Sequence, residues 1–423
     1  MNINEKRQAA QSSSGGIIRD RRRWWIVWTL FFSTAINYVN RQTLSVLAPV
    51  ITREFHLSHS ELSTIFSAFQ IAYAGTWLVG GIFLDIVGTR LGLSIAVIWW
   101  SVVSCLTSFV NSPFTLGVLR FFLGIGEGFN WPGASKAVAE FFPAEERSLA
   151  VAIFDSGSSI GGAVAALSIP WIALRFGWRS AFAFSGVLGF FWLALWLTVY
   201  RSSTRPSYAA QEGTRLSMRD ALPILRQRET WAIVLGRSLT DPIWWFYVFW
   251  LPQYLSDTRG FSLKQIAMFA WLPFIAADLG NFAGGIASGA LVKRGMPVIR
   301  ARKWVCIVSC IPVLAGIPAV LASSPFSCLA LICFALFGYA SWSTMGLTLP
   351  SDLFPPQVVG SVTGLSGLAA GLTSTLFTLL VGTLVDHFSY FPAFVLAATA
   401  PLLATVSVVF LIRRSAEPAR LPV

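Results

Sequence analysis

The stretch Trp24–Val50 reads WWIVWTLFFSTAINYVNRQTLSVLAPV, 27 residues in which Arg41 is the one charged side chain. An α-helix crossing a hydrocarbon core ~30 Å thick needs about 20 apolar residues. The run exceeds the roughly 7–15 apolar residues of a cleavable signal peptide. It also follows a polar stretch that ends in Arg19, Arg21, Arg22 and Arg23. It therefore reads as a first membrane-spanning helix that stays in place, with a guanidinium inside it.

The rest of the chain has the same character. Hydrophobic residues make up 55% of the 423 residues and charged residues 12%, with a mean hydropathy of +0.66. A soluble domain carries about 25% charged residues, and no water-soluble globule of this length hides so much apolar surface. Only helices or closed barrels satisfy the backbone in lipid, and long non-alternating runs exclude a barrel. The chain is thus expected to be an all-α membrane protein embedded in a lipid bilayer. Apolar runs between charge or Pro/Gly punctuation give twelve spans: 24–50, 62–84, 91–110, 113–141, 147–174, 180–200, 231–255, 264–292, 303–322, 326–350, 358–386 and 391–412.

Charge sets the expected orientation. With the N-terminus inside, 22 Lys and Arg lie in or at the edges of the inner loops and tails, against five outside: Arg53, Arg175, Arg179, Arg259 and Lys264. That bias predicts both termini in the cytoplasm. The net charge of +12 arises from these short clusters rather than from a basic face, so no nucleic-acid partner is expected. The five cysteines all lie in apolar stretches without a CxxC pair and read as small buried hydrophobes. His56 and His59 sit in a loop without visible ligand partners, so no metal site is expected there. No G-x-x-x-x-G-K-[ST] loop occurs, which argues against ATP-driven pumping by this chain alone. No catalytic cluster or cofactor motif stands out, so neither an enzyme nor a bound cofactor is expected.

The longest polar stretch, 201–230, holds six arginines and three acids. It divides the chain into an N-terminal tail (1–23), a six-helix bundle (24–200), a cytoplasmic linker (201–230), a second six-helix bundle (231–412) and a tail (413–423). The bundles repeat one another. Phe176-Gly-Trp-Arg-Ser-Ala-Phe182 matches Phe388-Ser-Tyr-Phe-Pro-Ala-Phe394, Phe142-Pro143 matches Phe354-Pro355, and Gly80-Gly81-Ile82 matches Gly284-Gly285-Ile286. The order and near-constant offset of these matches predict a duplicated unit, the plan of transporters built on parallel repeats around a central cavity.

Ionisable residues inside spans are costly and mark function. Tyr73, Glu127, Asp241 and Asp278 lie near the midpoints of their spans, and Arg41 lies one turn beyond the midpoint of the first. A guanidinium can hold a carboxylate through two parallel hydrogen bonds, so Arg41 either meets an anionic substrate or pairs with Glu127. Tyr38, three residues earlier on the same helical face, can offer its hydroxyl to a sugar. Asn130 shares a face with Glu127 and can do the same. Trp342 can stack on a sugar ring or simply pack. Arg237 and Asp241, four residues apart, can pair with each other, and Asp155 is a further candidate for carrying a proton. Repeated small residues at Gly157/Gly161, Gly360/Gly364 and Gly367/Gly371 predict close helix packing.

Gly81-Ile-Phe-Leu-Asp85-Ile-Val-Gly88-Thr-Arg90, between spans 2 and 3, resembles the signature loop of the major facilitator superfamily. Arg120-x-x-x-Gly124-x-Gly126-x-Gly128 is similar to a second motif of that superfamily. Ile36-Asn-Tyr-Val-Asn-Arg-Gln42 resembles its anion:cation symporter family. Gly124-Ile-Gly-Glu-Gly-Phe-Asn-Trp-Pro132, Leu239-Thr-Asp-Pro-Ile-Trp-Trp-Phe246 and Ser351-Asp-Leu-Phe-Pro355 look like the hexuronate-transporter branch. The resemblance implies a monomeric proton-coupled importer of a sugar acid in the bacterial inner membrane, working by alternating access. A uniporter or exchanger of hexonates, glucarate or aromatic acids is the alternative. It also implies roles: Arg41 for the substrate carboxylate; Tyr38, Tyr73, Asn130 and Trp342 for the rest of the substrate; Glu127 for the proton; Asp85 and Arg90 for the conformational gate. Three positions depart from the pattern. Asn40 stands where relatives carry Asp before the span-1 Arg, Ser158 where some have Gln, and Met345 where hexuronate-like members tend to have Asn.

Overall fold

The computed structural model describes residues 3–142, 144–200, 226–354 and 356–413, apart from the side chains of residues 3–22, 78, 81–82, 85, 139, 144–149, 356–358 and 360–361. Most of the expected linker and the end of the chain lie outside these residues.

Among the described residues, fifteen helices form twelve rods. The first half contains α1 (Ile3–Phe55), α2 (His59–Val87), α3 (Thr89–Thr107), α4 (Pro113–Glu127), α5 (Asn130–Phe141), α6 (Ala144–Phe176) and α7 (Trp178–Val199). The second contains α8 (Arg228–Arg259), α9 (Leu263–Phe269), α10 (Leu272–Lys293), α11 (Val298–Val313), α12 (Gly316–Leu321), α13 (Pro325–Leu353), α14 (Pro356–His387) and α15 (Phe391–Leu411). Three expected spans are interrupted. The rod 113–141 breaks between α4 and α5, the rod 264–292 between α9 and α10, and the rod 303–322 between α11 and α12. Helix α1 also starts well before Trp24.

Among the described residues, eight rods are long and apolar enough to cross a membrane by composition alone. The other four are α1, α2, α4–α5 and α8. They carry Arg41, Tyr73, Glu127 and the Arg237–Asp241 pair.

The duplication extends to helix starts. Ser58 accepts from the Glu61 amide while its own N–H donates to the Glu61 carboxylate at 2.8 Å. Ser262 and Gln265 form the same reciprocal cap at the start of α9, with 2.9 Å for the return bond. Each cap satisfies two N–H groups that have no partner in the first turn. The short connections at the opposite end turn on Gly88 (φ +86°) and Gly295 (φ +90°), conformations that a Cβ disfavours.

Packing is duplicated as well. In the first half α1 lies on α6 and α2 on α4, and in the second α8 lies on α14 and α10 on α13. Small residues set the approach. A Cβ on Gly157 or Gly161 would collide with the Phe31 or Ala35 carbonyl oxygen, and one on Gly124 with that of Phe69. Gly280 and Gly284 meet the Phe337 and Ser341 carbonyls in the same way. Gly371 is tight against Ala74, whereas Gly364 has open space where a Cβ would go, so close packing does not explain that position.

The halves meet along α1–α8, α2–α14 and α6 with α9 and α10. Ser45 donates to the Val248 and Phe249 carbonyls at 2.6 and 3.0 Å, and Phe66 stacks on Phe249 at 4.6 Å. Deeper in the bundle, Ser159 donates to Asp278 at 2.6 Å and the Trp244 indole to the Tyr38 hydroxyl at 3.3 Å.

Gly161→Val should strip α6 from α1, giving a large loss of the monodisperse fraction after heating in detergent. Gly364→Ala should stay within about 0.5 kcal/mol of the parent. Fluorescence-detected size exclusion across a temperature series separates the two, and equal behaviour would refute the packing account.

Candidate functional site

Arg41 lies in the apolar C-terminal part of α1 and is 2% exposed, and Glu127 is fully buried. Glu127 is the last residue of α4, immediately before the break, so its side chain projects where the rod changes direction. Arg41 Nε and Nη2 both donate to Glu127 Oε2, at 3.3 and 3.2 Å, and Nη2 also donates to Asn37 Oδ1 at 3.1 Å. Glu127 Oε1 is buried without a hydrogen-bond partner. The guanidinium therefore spends two donors on one oxygen, and the fork is not matched oxygen for oxygen.

Aromatic rings close around the guanidinium. Its Cζ lies 4.6 Å from the Tyr38 ring, 4.6 Å from Tyr73, 5.1 Å from Phe69 and 5.0 Å from Trp245. Tyr38 shares α1, Phe69 and Tyr73 are one turn apart on α2, and Trp245 comes from α8 of the other half. A cation over ring faces gains about 0.5–2 kcal/mol per contact, more when water is excluded. The rings thus hold the charge without offering it a second carboxylate. They leave one partner to exchange, Glu127.

The neighbours are turned elsewhere. Asn130 accepts from Ser33 at 2.6 Å and donates to Thr34 at 3.1 Å, fully buried inside the first half. Asn40 donates to the Ile36 carbonyl and accepts from Ser104 at 2.6 Å, which faces it away from Arg41. Arg120, two turns before Glu127, sits over Phe182 at 5.1 Å with Nη1 3.5 Å from the Asn40 carbonyl. In the second half Arg237 donates to Asp241 at 2.7 Å and to Ser366 at 3.3 Å. Trp342 stands apart: it is 1% exposed and donates to Thr405 at 2.8 Å. Its ring packs with Met345 and Val408 in the interior of the second half, which leaves no open face for a sugar. Arg90 donates to the Leu197 carbonyl at 3.2 Å, tying the short α2–α3 connection to the end of α7, while the Asp85 side chain lies outside those described.

The description Major Facilitator Superfamily matches residues 30–378. The chain belongs to the major facilitator superfamily. A hexuronate transporter of Escherichia coli K12 is 33% identical over 401 residues, covering 91% of this chain and 92% of the relative. A D-galactonate transporter of Escherichia coli O6:H1 is 28% identical, covering 93% and 96%. Among solved structures, a bacterial homolog of the human lysosomal transporter Spinster in an inward-facing, unoccupied conformation shares the fold with a TM-score of 0.69. It is 17% identical and covers 92% of this chain and 95% of that one. This major facilitator chain is accordingly a membrane transporter, similar to transporters named for sugar acids, and not an enzyme.

Sequence reasoning brought Tyr38, Arg41, Tyr73 and Glu127 to the same depth, and the structure joins them. It missed Phe69 and Trp245. Phe69 was visible only as the residue one turn before Tyr73. Trp245 lay in a quoted motif, but nothing in the chain showed which half it would face.

Removing one member of the Arg41–Glu127 pair leaves an uncompensated buried charge, which costs about 3–5 kcal/mol. Arg41→Met and Glu127→Gln should each lower the thermal midpoint in detergent, and the double variant should recover part of the loss. Strictly additive losses would show that the two side chains do not depend on each other.

Proposed function

We propose that this protein imports a hexuronate-like sugar acid together with a proton by alternating access between its two halves. In this reading the protein works as a monomer in a bacterial inner membrane. The α2–α3 connection and both termini face the cytoplasm, and the His59 end faces outward, as the basic-residue bias argues. Relatives named for hexuronate and galactonate transport support the substrate class.

One observation carries the mechanism: among the described residues the carboxylate on Arg41 is that of Glu127, held through one oxygen inside an aromatic cage. Arg41 and Glu127 balance as a pair, and the buried Arg120 nearby adds the same positive charge to every state. An anion entering alone would change the net charge inside the membrane, and unbalanced charge is costly at that depth. If Glu127 takes up a proton as the anion arrives, Arg41 transfers its two donors to the substrate carboxylate and the balance is kept. Loaded and empty states then carry the same net charge, and a proton travels with each anion. Tyr38 and Tyr73 border the cation and can meet the sugar hydroxyls. Asn130 reaches substrate only by giving up Ser33 and Thr34, which makes it a support for α1 and α5. We leave Trp342 out of the binding set. Asn40 cannot titrate and faces Ser104, so the carboxylate usual at that position is lacking, and one proton per cycle is expected.

Arg41→Lys should weaken uptake more than tenfold, since an ammonium does not reproduce a two-donor fork. Glu127→Gln should retain counterflow and lose accumulation against a gradient. The test is uptake into proteoliposomes of labelled glucuronate, galacturonate, galactarate and galactonate, with and without an imposed pH gradient. Accumulation that ignores the pH gradient would favour an exchanger or uniporter of carboxylates and sink the proton role of Glu127.

The gate role of the signature loop predicts that Asp85→Asn changes the transport rate more than the substrate affinity measured in detergent. A pure affinity loss would remove it from the gate.

A further inference from the structure

His59 lies at the seam between the halves, with both ring nitrogens engaged. Its Nδ1 lies 2.9 Å from Asp386 Oδ1 and its Nε2 2.9 Å from Asp257 Oδ2. Both carboxylates belong to the second half, one on α14 and one on α8, while His59 opens α2 of the first. A neutral imidazole has one N–H, so it cannot donate to two carboxylates at once. Two ring nitrogens in contact with two carboxylate oxygens require the doubly protonated ring, unless a carboxylate carries the proton instead.

The surroundings decide between these. Asp386 also accepts the backbone N–H groups of His59 and Ser60 and the Ser60 hydroxyl, capping α2 from the opposite half. Asp257 accepts from Gln253 at 3.0 Å and from the Tyr390 hydroxyl at 3.1 Å. The hydrogen bonds that Asp386 accepts from Ser60 and His59 lower its pKa against the opposing effect of burial, so it holds its charge and the proton facing it belongs on the ring. Other charged neighbours are occupied elsewhere. Glu61 on the same helix is turned back to Ser58, and His387 of α14 contacts the Thr383 carbonyl. Arg53 of α1 donates to Ser256, and Arg259 of α8 to the carbonyls of Ala319, Val320 and Ala322. From α15, the Tyr390 ring stands 6.0 Å away, and the Trp250 ring of α8 stacks at 6.3 Å.

We propose that His59 is a proton-binding site separate from Glu127, assembled from both halves only while the outer end is closed, so that external acid holds the carrier shut on that side and loss of the proton releases it. The inference rests on the alternating-access reading and its orientation, and it is independent of the substrate. When the halves part, His59 leaves both carboxylates and reverts to a solvated imidazole, which titrates near 6.5. In the closed seam hydrogen bonding to Asp257, with that to Asp386, raises its pKa against the opposing effect of burial. The sign follows: the closed form binds the proton more tightly than the open form. Closure is fully supported below the ordinary histidine value and loses that support as pH rises through the raised one.

Spin labels at Asn111 and Phe388, exposed on the first and second halves at this end, report opening by pulsed electron–electron distance measurement in a background without the five native cysteines. Between pH 5.5 and 9 the long-distance population should rise severalfold in the parent, in the direction set by the raised pKa of the closed form. His59→Gln should flatten that response, and Glu127→Gln should keep it. Side-chain 13C signals of labelled histidine provide a second reading on the parent protein. The His59 midpoint should lie above the value found in Asp386→Asn or Asp257→Asn. A distance response unchanged in His59→Gln, or a His59 midpoint that neither aspartate moves, overturns the proposal. Proton-driven uptake alongside either result would leave the Glu127 reading intact, and a His59-dependent response without proton-driven uptake would do the reverse.

Discussion

A guanidinium held in the middle of a membrane-spanning helix is the constraint to which the rest of this structure answers. Charge at that depth is tolerated only when paired and shielded from lipid. Arg41 meets the requirement with one carboxylate and four ring faces, drawn from α1, α2, α4 and α8. Four rods must therefore converge on one point. The economy of the pair also makes it useful. A cation with a single exchangeable partner offers an incoming anion a place as soon as that partner is neutralised.

Convergence of this kind needs helices that approach closely, and glycine permits it. Gly157 and Gly161 bring α1 against the backbone of α6, and Gly124 brings α4, with Glu127 at its end, against α2. The same device serves α10 and α13 in the second half at Gly280 and Gly284. Backbone contacts of this sort are rigid within each half. Between the halves, Gly371 and Gly382 of α14 also approach α2 closely, and side-chain contacts join the two halves: hydroxyls on carbonyls at Ser45, stacked rings at Phe66 and Phe249, and ionic bridges at His59.

Two polar centres thus lie along the bundle, differing in what they are built from. The Arg41–Glu127 pair lies wholly within the first half. The His59 bridge spans the seam between the halves. In the proposed cycle, protons at the first would alter what the site can bind, and protons at the second would alter which side is open.

The sequence by itself determined the class of fold, through hydropathy, charge bias and duplicated segments, because a bilayer imposes its thickness on every span independently of tertiary contacts. It also determined Arg41 and Glu127 as principals, since an ionisable residue in an apolar run is conspicuous without knowledge of its neighbours. Helix breaks inside three spans were not legible, because Gly128–Phe129 and Ala270–Trp271 look as apolar as any uninterrupted turn. Nor could the sequence say where Asn130, Asn40 and Trp342 would point: each carries the right chemistry for a sugar, and only packing turned them to Ser33 and Thr34, to Ser104 and to Thr405. His59 is the clearest case. Its partners lie 198 and 327 residues away, a distance at which spacing carries no signal. Two halves had to fold and meet before a loop histidine faced two aspartates.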